Sequence, residues 1–293
     1  MKRVVLIVTG KTEVALDQSL AQLFPKEKVT FVVRPPKDSF TSNALLETPL
    51  RGTEEKPTAA EKLAQALVAE VDPGRRDEPP PDYVVLVDDL ELDNLPWPER
   101  AIQYVRTALE THLERRYPAQ DARERALGRV RDRCSFHLLS PMVEAYFLAE
   151  PAALTRAGAT RASTFDATTN NTESSFQVSD PAFLAPPNRV NKHALPPWAS
   201  ADRARHPKRY VQFLCDPTGT KAQAYKETGG GRNALSKLDW PAVLATSTHA
   251  QFVRSLIHDL ADALEEPAVA QRFAGATHPL TWPPRKGHLL RNV

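Results

Sequence analysis

The feature that most constrains this chain is a short run, Tyr83-Val-Val-Leu-Val87, that is apolar throughout and stops abruptly at Asp88-Asp89. A strand built from it has no polar face, so both of its sides must be covered. Val4 to Val8 reads the same way, and Val29 to Val33 and Cys134 to Leu139 are further strand candidates. The intervals carry helical spacing. Val14 to Phe24 places Val14, Leu16, Leu20, Leu23 and Phe24 at mostly helical intervals, Ala59 to Val71 reads as a helix, and Pro98 to Tyr117 puts Ile102, Val105, Leu109 and Leu113 on one side. Strand alternating with helix over about the first 155 residues requires crossover connections between parallel neighbours. The predicted fold class is therefore α/β, with a Rossmann-like parallel sheet flanked by helices.

Beyond this unit the pattern changes. Residues 157–204 are rich in Thr, Ser, Asn and Pro, including Thr168-Thr-Asn-Asn-Thr172, and carry too little apolar surface to offset the entropy of ordering. They are expected to form an irregular insertion, partly disordered or draped on the core. It separates an α/β domain over 1–156 from a mainly helical carboxyl-terminal region over 205–293 that packs on the core, where Phe252, Leu256, Ile257, Leu260 and Leu264 mark an amphipathic helix. With 293 residues, 41% of them hydrophobic, the chain can build a real core, which excludes a wholly disordered protein. No apolar run approaches the roughly 18 residues of a membrane helix. Met1-Lys2-Arg3 leads into a strand-like run rather than a signal peptide, so the expected location is cytoplasmic, with no membrane partner. Cys134 and Cys215 make no disulfide framework and are expected to be reduced thiols.

The acidic end of the central strand carries the chemistry. Asp88, Asp89, Glu91 and Asp93 leave the carboxyl end of a predicted parallel strand, which is where open α/β sheets bind ligands. Counting Asp82, the stretch from Pro81 to Asp93 holds five carboxylates and no Lys or Arg. Hard oxygen donors at this density suit Mg²⁺ or Mn²⁺, which would orient a phosphodiester and lower the pKa of an attacking water. The alternative is a solvated acidic turn. Thr9-Gly10-Lys11-Thr12-Glu13 sits at the equivalent end of the first strand. Gly-Lys-Thr with a later Asp-Asp imitates a P-loop ATPase, but the glycine that loop needs five positions before Gly10 is Val5, inside the strand. In the competing Toprim-like reading, a carboxylate after strand one and an Asp-x-Asp after a later strand share a divalent metal. Toprim proteins place a Glu directly before the glycine, whereas this chain has Thr9 there and offers Glu13, and its second motif reads Asp89-x-Glu91 with Asp88 just ahead. Glu13 is otherwise a first-turn residue that favours the helix dipole. Lys11 either neutralises a phosphate or caps the turn.

In His137-Leu-Leu-Ser-Pro-Met-Val-Glu144-Ala-Tyr-Phe-Leu-Ala-Glu150-Pro, Glu144 lies inside an otherwise apolar stretch and needs a partner, a hydrogen bond or a metal. Together with Gly-x-Thr-Glu near the start, Asp-Asp after the central strand, His206-Pro-Lys-Arg-Tyr210, Ala224-Tyr-Lys-Glu-Thr and the closing Phe252-x-x-x-Leu256, this segment resembles a Toprim-like family of unknown function. Its members look like relatives of the RloB and OLD-associated Toprim proteins, often encoded beside an ATPase in phage-defence loci. The resemblance implies a Toprim-like core and a metal-dependent nuclease that hydrolyses DNA or RNA, an effector in anti-phage defence working with that ATPase. The alternative is a Toprim scaffold that has lost catalysis at Thr9 and acts as a regulatory or sensing subunit of an ATPase assembly.

The candidate catalytic residues are Glu13, Asp88, Asp89, Glu91 and Glu144, of which Glu13, Asp88, Asp89 and Glu91 are the candidate metal ligands. From Ala201 to Lys237 eight cations stand against three acids, with Tyr210, Phe213 and Tyr225 interleaved, a pattern suited to a phosphate track with stacking platforms. The candidate phosphate-binding residues are Lys11, Lys208, Arg209, Lys226 and Arg232, and the run Gly229-Gly230-Gly231 offers close backbone approach. His137 is either a proton shuttle or a structural residue. Expected partners are nucleic acid and an ATPase encoded nearby, with self-association into a homodimer left open.

Overall fold

In the computed structural model, which describes residues 1–53, 55–72, 79–189, 194–220, 224–283 and 287–293, four strands pair in parallel. They are β1 (Lys2–Val8), β2 (Val29–Val33), β3 (Tyr83–Asp89) and β4 (Cys134–Leu139), in the order β2-β1-β3-β4. Between β1 and β2 lies α1 (Leu16–Ala21), and between β2 and β3 lies α2 (Ala59–Val71), opened by a capping box in which Thr58 and Glu61 bond each other's backbone N–H. Two helices, α3 (Pro98–Arg116) and α4 (Gln120–Arg133), join β3 to β4. After β4 come α5 (Glu144–Phe147), α6 (Pro151–Ala157), α7 (Pro181–Leu184), α8 (Pro207–Cys215), α9 (Arg232–Ser236), α10 (Trp240–Thr246), α11 (Gln251–Ala263) and α12 (Pro267–Arg272). The fold is α/β and Rossmann-like, with a helical carboxyl-terminal part.

Side-chain alternation explains why the strands are apolar throughout. Val4, Leu6, Val8, Tyr83, Val85 and Val87 enter one core, with Leu16 and Leu20 of α1 and the later helices through Tyr146, Tyr210, Trp240, Leu256 and Leu260. Val5, Ile7, Val84, Leu86 and Phe136 enter the other, with Leu63 and Leu67 of α2, Tyr104 and Leu109 of α3, and Val130 of α4. The strand β3 runs two residues further than the apolar run, because Asp88 and Asp89 pair with Leu138 and Leu139 of β4. Ladder pairing holds both aspartates in the sheet and points them to opposite faces.

The Thr/Asn-rich stretch is draped on the first core rather than loose. Ala167, Phe176, Val178, Phe183 and Trp198 are buried in it, and Phe165 stacks on Phe176 at 4.8 Å between centroids. Polar anchors supply what composition lacks. Glu173 accepts from Tyr146 Oη at 2.8 Å and from the Phe252 and Val253 N–H groups at the start of α11, at 2.8 and 3.2 Å. On the outer edge of β4 the Asn292 amide pairs with the backbone of Phe136 in both directions, at 3.0 and 2.7 Å. His137 is fully buried and bonds Asp259 at 2.8 Å, while Asp259 also takes Tyr83 Oη and Arg291 Nε. Both cysteines are buried free thiols. Among the described residues no helix is long and apolar enough to cross a membrane.

Candidate active site

The sheet order places a crevice at the carboxyl ends of β1 and β3. From β1 the chain leaves toward β2 through α1 on the first face, and from β3 it leaves toward β4 through α3 on the second. Two adjacent strands whose connections diverge to opposite faces form a topological switch point. A cleft of about 730 Å³ opens there, lined by Thr9 to Glu13, Asp88, Asp89, Glu91, Glu144, His206, Lys208, Arg209 and Glu227, among others. All five predicted catalytic carboxylates line this one space, although they come from three separate turns of the chain.

Each is held by its own local structure. Glu13 opens a short 3-10 turn after β1 and folds back over Gly10, where a Cβ would lie only 1.7 Å from Glu13 Oε2. Its side chain is 3% exposed. Burial first, then the charge of Glu144, pushes Glu13 up to about 8, against a hydrogen bond with Asp89. Burial likewise raises Asp88 to about 6 despite the hydroxyls of Thr9, Ser39 and Thr41. Thr9 Oγ1 donates to Asp88 Oδ1, so Thr9 orients a carboxylate. Asp89 is raised well above the carboxylate range by burial, then by Glu13 and Glu91.

Glu91 adopts φ 62°, a region that non-glycine residues seldom occupy, and its N–H donates to Pro141 O at 2.8 Å. Such a conformation costs about 1–3 kcal/mol and persists only where the surroundings enforce it. Burial, then Glu144, raises Glu91 to about 7. Glu144, 3% exposed at the start of α5, accepts from Tyr225 Oη at 2.8 Å and is also raised by burial.

The acidic segment divides in the structure. Asp82 stands at the other end of β3, where it accepts from Arg3 N at 2.8 Å, and Asp93 is exposed in the turn Leu92–Asn94. Neither lines the cleft. The basic segment divides too. Lys11, Lys208 and Arg209 line the cleft, and Lys208 pairs with Glu227 across it. Lys226 is exposed outside the lining, and Arg232 Nε donates to Lys11 O at 2.8 Å, fixing the loop after β1. Arg203 is spent on the carbonyls of Phe183, Leu184 and Ala185. Lys221 lies outside the described residues. Tyr210, Phe213 and Tyr225 are 0%, 2% and 6% exposed, so they pack the core and cannot stack bases. The glycine run has a packing role. A Cβ on Gly230 would lie 2.3 Å from Ala157 O, and one on Gly231 would lie 2.7 Å from Tyr225 Oη.

His137 is absent from the cleft lining, and its bond to Asp259 places it in the structural network under α11. Sequence reasoning missed Lys37, Asp38, Ser39, Ser42, Gln212 and Glu227 as lining residues. The first four sit in the polar, aperiodic stretch after β2, which carries no signal of its own. Glu227 was visible as part of Ala224-Tyr-Lys-Glu-Thr and as one of the three acids between Ala201 and Lys237.

Among the described residues no three His, Cys, Asp or Glu side chains are gathered into a ready-made metal-ligand group. The carboxylates line one cleft without forming such a group. Their chemistry nevertheless fits a hard divalent cation. The donors are oxygens, and Asp88 Oδ2 and Asp89 Oδ1 are buried with no hydrogen-bond partner. No family model matches the chain, no curated protein matches it, and no solved structure matches it.

Proposed function

We propose that the chain is a Toprim-like, Mg²⁺- or Mn²⁺-dependent nuclease that hydrolyses phosphodiesters of DNA or RNA, and that it serves as an effector of anti-phage defence with an ATPase partner. The observation that carries this reading is the assembly of Glu13, Asp88, Asp89, Glu91 and Glu144 in one cleft at the switch point, opposite Lys11, Lys208 and Arg209. Glu13, Asp88, Asp89 and Glu91 would hold the divalent cation, with Glu144 beside them. When bound, the cation supplies charge neutralisation and an acidified water. The protein's own groups do the rest. Thr9 fixes the rotamer of Asp88, Tyr225 fixes Glu144, and Lys11, Lys208 and Arg209 draw a polyanion onto the cleft mouth. Asp88 and Glu144 are buried at the cleft floor, away from bulk water.

Thr9 favours one other reading, in which the domain has lost catalysis and works as a regulatory or sensing subunit of the ATPase assembly. One assay separates the two. Purified chain, alone and with the ATPase encoded beside it, is offered DNA and RNA with Mg²⁺ or Mn²⁺. Wild type is expected to cut at least one substrate, and Asp88→Ala/Asp89→Ala is expected to lower that rate by 100-fold or more, about the loss seen when key electrostatic groups are removed. Absence of cleavage in every combination would leave the scaffold reading.

A further inference from the structure

Acidic side chains outnumber basic ones in the cleft lining, and one of its cations is already engaged. Lys208, the second residue of α8, forms an ion pair with Glu227, and both side chains line the cleft. Its ammonium also lies within electrostatic reach of Glu144 and Glu91. Arg209, the next residue, is instead tied to Pro197 O at 2.7 Å and to Gln212 Oε1 at 3.1 Å. The flexible stem of a lysine lets the same ammonium serve two positions, which the rigid fork of an arginine does less readily. The Lys208 side chain retains 32% of its exposure, so it has room to swing toward solvent.

We propose that Lys208, paired with Glu227 beside Glu91 and Glu144, is a built-in counter-cation of the carboxylate cluster that competes with a divalent cation for Glu91 and would be released toward the substrate phosphate on binding of that cation. The inference rests on the metal reading of the cleft. One ammonium cannot satisfy three carboxyl groups, so oxygen donors for a divalent cation remain beside it. Lys208 would be repelled by a cation held there, which would weaken its pair with Glu227. The same residue then stabilises the empty cleft in one state and contacts substrate in the other. No bond is made or broken in the exchange.

The test combines binding and accessibility on the full chain. Mn²⁺ affinity is measured by calorimetry for wild type and Lys208→Met, with circular dichroism confirming that the variant folds. Removing the competing charge is expected to tighten Mn²⁺ binding by about tenfold, equivalent to about 1.4 kcal/mol. Separately, the rate of reductive methylation at Lys208 is followed by mass spectrometry. It is expected to rise severalfold in wild type on adding Mg²⁺, and to be high without metal in Glu227→Gln. Wild-type Mn²⁺ binding with equal or weaker binding by Lys208→Met, or labelling of Lys208 that ignores both Mg²⁺ and Glu227→Gln, would overturn the inference alone. Failure of wild type and variant alike to bind Mn²⁺ would overturn the metal reading and this inference with it.

Discussion

Gly10 is where backbone and site chemistry meet, because the carboxyl of Glu13 occupies the space a Cβ would take. The obstructing atoms belong to the far end of a flexible side chain. Gly10→Ala should therefore change stability by no more than about 1 kcal/mol while driving Glu13 away from Asp89. Urea denaturation together with Mn²⁺ titration checks this, and intact affinity in a folded variant would argue against a role for Glu13 in the site. The same scale explains what residue types could reveal. Asp88, Asp89 and Glu91 were legible because acids seldom follow an apolar strand without a reason. The role of Thr9 was not, since nothing in the local sequence says that its hydroxyl reaches Asp88, 79 residues away.

At the scale of elements, the long amphipathic helix α11 depends on a residue far away in sequence. It has no side-chain cap of its own, and Glu173 from the irregular stretch accepts the N–H groups of Phe252 and Val253 while also holding Tyr146. Removing that carboxylate strands several buried donors. Glu173→Ala is expected to lower unfolding free energy by about 1–3 kcal/mol, and Glu173→Gln, which keeps an acceptor oxygen, by less. Chemical denaturation monitored by circular dichroism measures both, and equal stability of Glu173→Ala would remove the anchoring role. Strands and helices were legible from period and run length, because burial on both faces and amphipathic stripes leave a pattern in the chain. The order imposed on the described part of residues 157–204 was not, since it comes from a few polar anchors and scattered aromatics rather than from any periodicity.

At the scale of the whole molecule, the charged groups set how stability responds to pH. Glu13, Glu91, Glu173 and Asp88 are raised to about 8, 7, 7 and 6 from ordinary values of 4.5 for glutamate and 3.8 for aspartate. The folded metal-free chain therefore binds more protons than the unfolded one, and stability falls as pH rises from about 5 to about 8. His206 and His278 are lowered to about 4 from 6.5, chiefly by burial, which opposes this trend between those values without reversing it, two groups standing against four. With four raised acids against two lowered histidines, the melting temperature in chelator should decline from about pH 5 to about pH 8, and saturating Mg²⁺ should flatten that decline by replacing protons on the carboxylates. A melting curve that climbs steadily to pH 8 in chelator would contradict the burial of these acids. A formal net charge of +2 hides this arrangement, because acids and bases are separated by position and not by number. By itself the sequence determined the fold class, most strand and helix positions, and the carboxylates worth watching, since periodicity and polarity are local properties. Only the tertiary structure decided that β1 and β3 diverge at a switch point, that Glu13, Glu91 and Glu144 join Asp88 and Asp89 in one cleft, and which of the basic and aromatic residues reach it. Those outcomes depend on strand order and on which groups are buried together, and neither is encoded in any single stretch of chain.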